Sequence, residues 1–137
     1  MAIFEQTFTV NPEHIDDNNH LNNVVYIQWM QDVAIMHSST LGWDAKKYAR
    51  NQCSWVAKTH FVDYIRPAFL REILTVKTWI DNIKRCSSVR KYAFYNSESK
   101  LIAKAETLWI FINAKTGRPQ GIFPEIKENF IPIDNVL

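Results

Sequence analysis

Glycine, cysteine and long apolar runs are all scarce in this chain of 137 residues. It holds three glycines and two cysteines, and Cys53 and Cys86 show no spacing typical of a metal site or a disulfide framework. We therefore expect two reduced, structural cysteines in a reducing compartment. No apolar run approaches the roughly 20 residues that cross a bilayer, and the first residues do not resemble a signal peptide. These absences predict a cytoplasmic protein that needs no membrane, metal or cofactor.

A concentration of charge of one sign is also missing. The net charge of +2 is spread along the chain, and the largest basic groups are the pairs Lys46-Lys47, Lys84-Arg85 and Arg90-Lys91. Such pairs are too weak to indicate a nucleic-acid partner, although one or two of them suffice for a phosphate-bearing small molecule. The length, with 47% hydrophobic residues, predicts one compact domain over residues 1–137.

Apolar patterning and turn signals divide the chain into one strand, one long helix and then four strands. The helix is predicted from Asn22 to about Thr40, and a shorter one from Trp43 to about Arg50. The strands are predicted at residues 3–10, 54–66, 71–84, 87–97 and 100–113, followed by a turn at 116–119 and a helical turn from Pro124 to about Phe130. Short connections favour antiparallel pairing, so we predict an α+β fold with a five-stranded antiparallel sheet.

The long helix carries apolar side chains around its whole circumference, which predicts burial on every side. Its few polar residues are expected at an edge or a subunit contact: Gln28, Gln31, Asp32, His37 and Ser38. One sheet covers only one side of such a helix, so loops or another subunit must close the other. We therefore predict a homo-oligomer, either a homodimer or a homotetramer.

Polar residues crowd the segment before this helix, where eight of the ten residues 14–23 can form hydrogen bonds or titrate. One interpretation is that Asn and Asp only cap the helix and form Asx turns. The other is a functional site, because a helix start offers unpaired N–H groups and a positive dipole end. A carboxylate from Asp16 or Asp17, a proton shuttle at His20 and a nearby oxyanion donor would suit hydrolysis of an ester-like bond.

The order Asp16-x-Asn18-x-His20-Leu21-Asn22-Asn23, followed by Tyr26 and Trp29, resembles the signature of the hot-dog thioesterases. These include acyl-CoA thioesterases of the 4-hydroxybenzoyl-CoA thioesterase type and the acyl-ACP thioesterases. A looser similarity extends to residues 63–67 and 116–119. The resemblance implies the hot-dog fold, with a long helix wrapped by a curved sheet, and dimers that pair their sheets.

The same resemblance implies roles for individual residues. Asp16 matches a catalytic carboxylate, Asn18 and His20 complete the catalytic set, and the backbone N–H of Asn23 would polarise the thioester carbonyl. Two departures stand out. Asn19 replaces a usual glycine, a change that Asn tolerates at positive φ. After Tyr64, the chain lacks the Glu-Cys pair of the acyl-ACP enzymes, which favours coenzyme A as the carrier.

Further substrate-binding residues are predicted beside this set. Asn22 and Tyr26 lie at the helix start, and Thr59 and His60 in a predicted strand would line the pocket from a neighbouring subunit. Arg85 and Arg90 are chosen for the coenzyme A phosphates at the mouth of the cleft. His37 is weighed as a weaker candidate, and Glu106 is expected on a solvated face.

We therefore predict a thioester hydrolase that cleaves acyl-CoA to a free acid and coenzyme A, with Asp16 as base or nucleophile. An acyl-ACP thioesterase is one alternative. A module that binds acyl-CoA or acyl-ACP without hydrolysis is another. A hot-dog dehydratase is a weaker third alternative, because that family's histidine has no counterpart in this pattern.

Overall fold

The computed structural model describes residues 2–134 and 136–137. Every predicted element is present within them, with ends that differ by no more than two residues. The strands are β1 (Phe4–Thr9), β2 (Cys53–Tyr64), β3 (Ile73–Ile83), β4 (Ser87–Tyr95) and β5 (Leu101–Asn113). The helices are α1 (Asn23–Thr40), α2 (Ala45–Arg50) and α3 (Pro124–Asn129), and a 3₁₀ turn spans Pro12–His14.

Side-chain caps fix where the first two helices begin. The Asn22 side chain accepts a hydrogen bond from the Val24 amide, and the Asp44 side chain accepts one from the Lys47 amide. Each carboxamide or carboxylate satisfies an amide that has no partner inside its helix. The predicted starts therefore fall on the caps or just before them.

The five strands form one antiparallel sheet in the order β1-β3-β4-β5-β2, which confirms the predicted α+β class. Helix α1 packs against β1 and β3, and its Met30 and Val33 are fully buried in one cluster with Leu74 and Phe94 of the sheet. Truncating such a side chain to Ala costs about 2–5 kcal/mol, so this contact anchors the helix. No helix in the described part of the chain is long and apolar enough to cross a bilayer.

Two expectations about α1 were wrong. The helix is not buried all round, because the sheet covers one side only and leaves Val24 at 70% and Ile35 at 62% exposure. His37 and Ser38 do not lie at an edge, since they are 1% and 8% exposed. Hydrogen bonds explain why burial is tolerated there, since His37 bonds Arg90 of β4 and Ser38 bonds the Trp43 carbonyl.

Strand β2 lies at an edge of the sheet and carries exposed apolar side chains. Val56 is 42% and Phe61 is 65% exposed. The pairing of β2 with β5 shifts register between Ala57 and Thr59, which leaves Lys58 at a bulge. An apolar edge of this kind is a surface on which a further strand or subunit can pair.

Candidate active site

The segment before α1 folds into a tight loop whose tip is residues 16–20. An antiparallel bridge pairs Ile15 with Leu21, and the Asp16 amide donates to the His20 carbonyl at 2.9 Å. Asn19 has a φ of +61°, in the left-handed region. Asn19 thus stands where a glycine is usual and has the positive φ that Asn tolerates better than most residues, so the loop keeps its tight shape.

The Asp16 carboxylate is half-buried and fixed in this loop by one of its oxygens. Asp16 Oδ1 accepts hydrogen bonds from the amides of Asn18, at 2.9 Å, and His20, at 3.3 Å. Within the described residues, Oδ2 has no hydrogen-bond partner. Asp17, by contrast, is exposed. The loop therefore orients the Asp16 side chain through one oxygen and leaves the other unbonded among the described residues.

The first turn of α1 presents an amide without a partner. Asn22 Oδ1 accepts from the Val24 amide at 3.0 Å, and the Asn22 carbonyl accepts from the Val25 amide at 2.9 Å. The Asn23 amide has no acceptor among the residues that the structure describes. An unpaired N–H at the positive end of an 18-residue helix is well suited to a carbonyl oxygen that gains charge.

The other side chains at this end are arranged around the helix start. His20 is half-buried with its ring edge against Phe69, at 5.3 Å between ring centroids, and Asn18 is exposed. The Tyr64 hydroxyl donates to the Asn23 carbonyl at 3.0 Å. The end of strand β2 therefore contacts the first residue of α1. Tyr64 belongs to residues 63–67, the segment with the looser similarity to the hot-dog thioesterases.

A cavity of about 680 Å³ lies at the other half of α1. Its walls come from α1, α2, β2 and the inner face of the sheet, and none of residues 16–23 lines it. One polar chain on its wall is internally satisfied: Ser38 Oγ donates to the Trp43 carbonyl, and the Tyr48 hydroxyl bonds Ser38 Oγ at 2.8 Å and accepts from Trp55 Nε1 at 3.0 Å. Burial raises the pKa of Tyr48, so its phenol stays neutral.

Sequence comparison places this molecule among known proteins. Residues 1–130 match the family model described as the acyl-ACP thioesterase N-terminal domain. The chain therefore belongs to the acyl-ACP thioesterase family. This identifies the protein as a thioesterase and confirms the class of enzyme predicted from the Asp16 motif.

Individual relatives of this thioesterase carry the same class of name. The long-chain acyl-CoA thioesterase FadM of Escherichia coli is 21% identical over 119 residues, which cover 84% of this chain and 87% of FadM. A DHNA-CoA thioesterase from Staphylococcus aureus superposes with a TM-score of 0.88 at 22% identity, covering 95% of this chain and 89% of that one. An acyl-ACP thioesterase from Bacteroides thetaiotaomicron gives 0.89 at 23% identity, but 98% of this thioesterase spans only 55% of that chain. These superpositions confirm the hot-dog fold.

The predicted substrate-binding residues of the thioesterase are not gathered at one place. The Asn22 side chain caps α1. Tyr26 is 2% exposed and packs edge-on against Tyr64 and Phe94, and burial with the nearby Tyr64 and Glu72 raises its pKa to about 12. Asn22 and Tyr26 thus support the helix start from within.

The strand residues are spread more widely. Thr59 is exposed on the edge strand, and His60 Nδ1 pairs with Thr107 Oγ1 at 2.8 Å on the side facing α1. Arg85 is exposed in the turn between β3 and β4, and Glu106 is exposed on β5 as predicted. Cys53 and Cys86 are both free thiols, in line with the predicted reduced state.

The position expected for Arg90 was wrong. It does not lie at an open cleft mouth, because it is 5% exposed and lines the inner cavity. The strand alternation of β4 turns Arg90 inward with Tyr92 and Phe94. The wall residues Ser38, Tyr48 and Trp55 were missed as a group. Their sequence positions are scattered, and only the two polar residues His37 and Ser38 late in an apolar helix hinted at a polar interior.

Proposed function

We propose that this thioesterase hydrolyses acyl-CoA thioesters at the loop formed by residues 16–20. The observation that carries the proposal is the Asp16 carboxylate, which its own loop orients through Oδ1 while Oδ2 has no partner in the described residues. The unpaired Asn23 amide three residues beyond the loop supplies the second requirement, a donor for the oxyanion.

The chemistry follows from these two groups. The thioester carbonyl oxygen accepts a hydrogen bond from the Asn23 amide, and the helix dipole stabilises the negative charge that develops there. In one route Asp16 Oδ2 takes a proton from water as the water oxygen bonds to the carbonyl carbon; the C–S bond then breaks and the sulfur takes up that proton. In the other route Oδ2 itself bonds to the carbonyl carbon, the C–S bond breaks as the sulfur takes a proton from solvent, and water then hydrolyses the mixed anhydride and regenerates Asp16. Coenzyme A leaves as the thiol and the acyl group as the free acid. His20 and Asn18, at the same loop, position water and substrate.

Coenzyme A is the carrier that we favour. The segment after Tyr64 lacks the Glu-Cys pair associated with acyl-ACP enzymes, and FadM, which is named for acyl-CoA, aligns over 87% of its length. An acyl-ACP thioesterase is the second candidate, because the matching family model carries that description. Measuring kcat/KM for one acyl group on coenzyme A and on acyl-carrier protein decides between them. Turnover of the ACP form alone would overturn the coenzyme A assignment.

A second copy of the chain completes the site in this proposal. The Asp16 loop and the cavity lie at opposite ends of α1, which is about 27 Å long for its 18 residues. The space between them along the sheet is filled by Tyr26, Met30 and Val33. The exposed apolar edge of β2 and the uncovered side of α1 are where a second copy would bring its Asp16 loop to this cavity.

A cytoplasmic location stays a prediction.

The test is the substitution Asp16→Asn. It retains an oxygen that accepts from the Asn18 and His20 amides, so the loop should keep its shape while the charge is lost. We expect kcat for acyl-CoA hydrolysis to fall about a thousandfold with an unchanged melting temperature. Asp17→Asn is the matched control, and we expect it to retain activity within about threefold because Asp17 is exposed.

Two results would refute the proposal. Near-full activity of Asp16→Asn would remove Asp16 from the chemistry. Binding of acyl-CoA by the unaltered protein without release of free thiol, across short, long and aromatic acyl groups, would instead establish the non-hydrolytic binding module.

A further inference from the structure

Arg90 is a buried cation that lines an apolar cavity and has no anionic partner within residues 2–134 and 136–137. Among the 18 described residues that line the cavity, Arg90 alone carries a charge, and it is 5% exposed. The ion pairs found in the described part of the chain involve Lys47, Lys91 and Lys100. A buried charge without a counter-charge is strongly unfavourable, so the neighbours of Arg90 require explanation.

Those neighbours orient the guanidinium but do not neutralise it. Arg90 Nη1 donates to His37 Nδ1 at 2.9 Å and to Thr78 Oγ1 at 3.1 Å. Because arginine only donates, His37 Nδ1 must be the acceptor, and the ring is then neutral with its proton on Nε2. Thr78 Oγ1 in turn donates to the Lys91 carbonyl at 2.9 Å. Both partners of Nη1 are therefore uncharged.

Three of the five N–H donors of Arg90 are left over. Nη1 carries two donors and uses both, whereas Nη2 and Nε have no hydrogen bond within the described residues. The Nε–Nη2 edge of a guanidinium matches the two oxygens of a carboxylate. Burial lowers the pKa of Arg90, with the Tyr92 and Tyr48 phenols acting in the opposite direction, but arginine remains protonated at neutral pH.

The rest of the cavity indicates the body of the ligand. Its wall is mainly apolar, with Trp43, Ile80 and Phe130 among its members, and its rim includes the exposed Ile35 and Val56. The polar chain of Ser38, Tyr48 and Trp55 bonds within itself. An apolar ligand with one anionic group at its inner end fits this distribution, whereas the phosphates and ribose of coenzyme A do not.

We propose that the cavity takes acyl groups whose end remote from the thioester is a carboxylate, and that Arg90 recognises this carboxylate. The substrates would be mono-thioesters of dicarboxylic acids. The inference rests on the proposed thioester hydrolysis for the reacting end and adds a substrate class to it. His37 and Thr78 are positioning residues, since they hold Nη1 and leave Nε and Nη2 for the ligand.

The experiment uses pairs of acyl-CoA thioesters of equal chain length, ending in a carboxylate, a hydroxyl or a methyl group. We expect the unaltered protein to prefer the carboxylate over the methyl end by about 100-fold in kcat/KM at the best length. A preference for methyl ends at every length would overturn the proposal. Equal rates for the carboxylate and hydroxyl ends would also overturn it, since Arg90 would then recognise any acceptor.

Three variants separate recognition from folding. Arg90→Met should reduce the preference for the carboxylate end to within about threefold. Arg90→Lys should retain part of the preference, because the positive charge stays while the paired N–H donors of the guanidinium are lost. Lys91→Met is the matched control, the adjacent residue on the same strand with its side chain on the other face, and should keep the full preference. If Arg90→Met fails to fold, Arg90→Lys and Thr78→Val still test the ratio, and an unchanged ratio in both would overturn the assignment.

A binding measurement keeps this inference separate from the proposed hydrolysis. Thioether analogues of the same pairs, which cannot be hydrolysed, are titrated calorimetrically into the unaltered protein and Arg90→Met. Tighter binding of the carboxylate analogue, lost in Arg90→Met, supports recognition by Arg90 even if no thioester is turned over. Hydrolysis of methyl-ended thioesters together with equal binding of both analogues refutes the inference and leaves the hydrolysis intact.

Discussion

At the N-terminal end of α1, polar side chains lie near the surface and bond the backbone of their own loop, whereas in its C-terminal half they are buried and bond side chains from distant strands. Asp16 reaches only the amides two and four residues ahead. Arg90 reaches His37, which is 53 residues away in sequence, and Thr78. The first end is built locally to hold a free carboxylate oxygen, and the second is built by the whole fold to hold a free guanidinium edge.

The difference in solvent access between the two ends suits the different roles that we propose for them. In the proposed hydrolysis the reacting group needs water and a leaving group that can depart, and the loop that holds Asp16 lies near the surface. A group that recognises charge acts most strongly where water is excluded, and the burial of Arg90 meets that requirement of the proposed recognition. The predictions below test whether these two ends act on one substrate.

The largest effect is expected from combining two defective copies. Alone, Asp16→Asn should hydrolyse a carboxylate-ended acyl-CoA at about a thousandth of the normal rate, and Arg90→Met at about a few hundredths of it. If the loop of one copy serves the cavity of another, co-expression at equal amounts should restore about a quarter of the normal activity, because half of the pairs are mixed and each mixed pair has one intact site. Tandem purification with two tags isolates the mixed pairs for assay.

The matching control is the mixture of the two purified variants without subunit exchange. If the co-expressed protein shows no more activity than this control, one copy does not supply its Asp16 loop to the cavity of another. The two ends of α1 would then have to act on the substrate within a single chain.

A smaller effect is expected at Tyr26, which lies on α1 between the two ends. Its pKa is raised from 10.0 to about 12 by burial, with Tyr64 and Glu72 adding to the rise. The unfolded chain therefore loses this proton at lower pH than the folded one, and the free energy of unfolding should fall by about 2 kcal/mol as pH rises from 10 to 12. Urea denaturation at several pH values measures the slope.

Tyr26→Phe should make that slope shallower, while the other tyrosines continue to contribute their own. An unchanged slope in Tyr26→Phe would show that Tyr26 titrates as an exposed residue and that the packing between the two ends is looser than described.

The smallest effect is expected at Asn19, the residue at positive φ in the loop. Asn19→Ala should destabilise the protein by about 1 kcal/mol because its Cβ strains the left-handed conformation, whereas Asn19→Gly should change stability by less than about 0.5 kcal/mol. Thermal unfolding compares the two. Equal stability of the alanine and glycine variants would contradict the strain, and a loss of hydrolysis in Asn19→Gly would show that Asn19 contributes more than backbone shape.

The sequence predicts the first end far better than the second. The strands, α1 and its cap follow from local patterns, and the Asp16 motif is contiguous, so its residues lie together in any fold that forms the loop. The cavity requires knowing that β4 lies beside β3 and that Arg90 faces α1, which depends on non-local pairing. For the same reason Arg90 was expected at the mouth of the cleft, and His37 was expected at an edge or a subunit contact.

The burial of Arg90 also makes the stability of the folded protein depend on the concentration of its ligand. A protein that buries a lone cation is less stable empty than it would be with a methionine of similar volume in that place, and a ligand that provides the missing charge binds the folded state alone. The empty enzyme is then the form most prone to unfold and to proteolysis, and the loaded enzyme the most durable. Selectivity at one end of α1 would thereby set the lifetime of the whole molecule according to the concentration of its substrate.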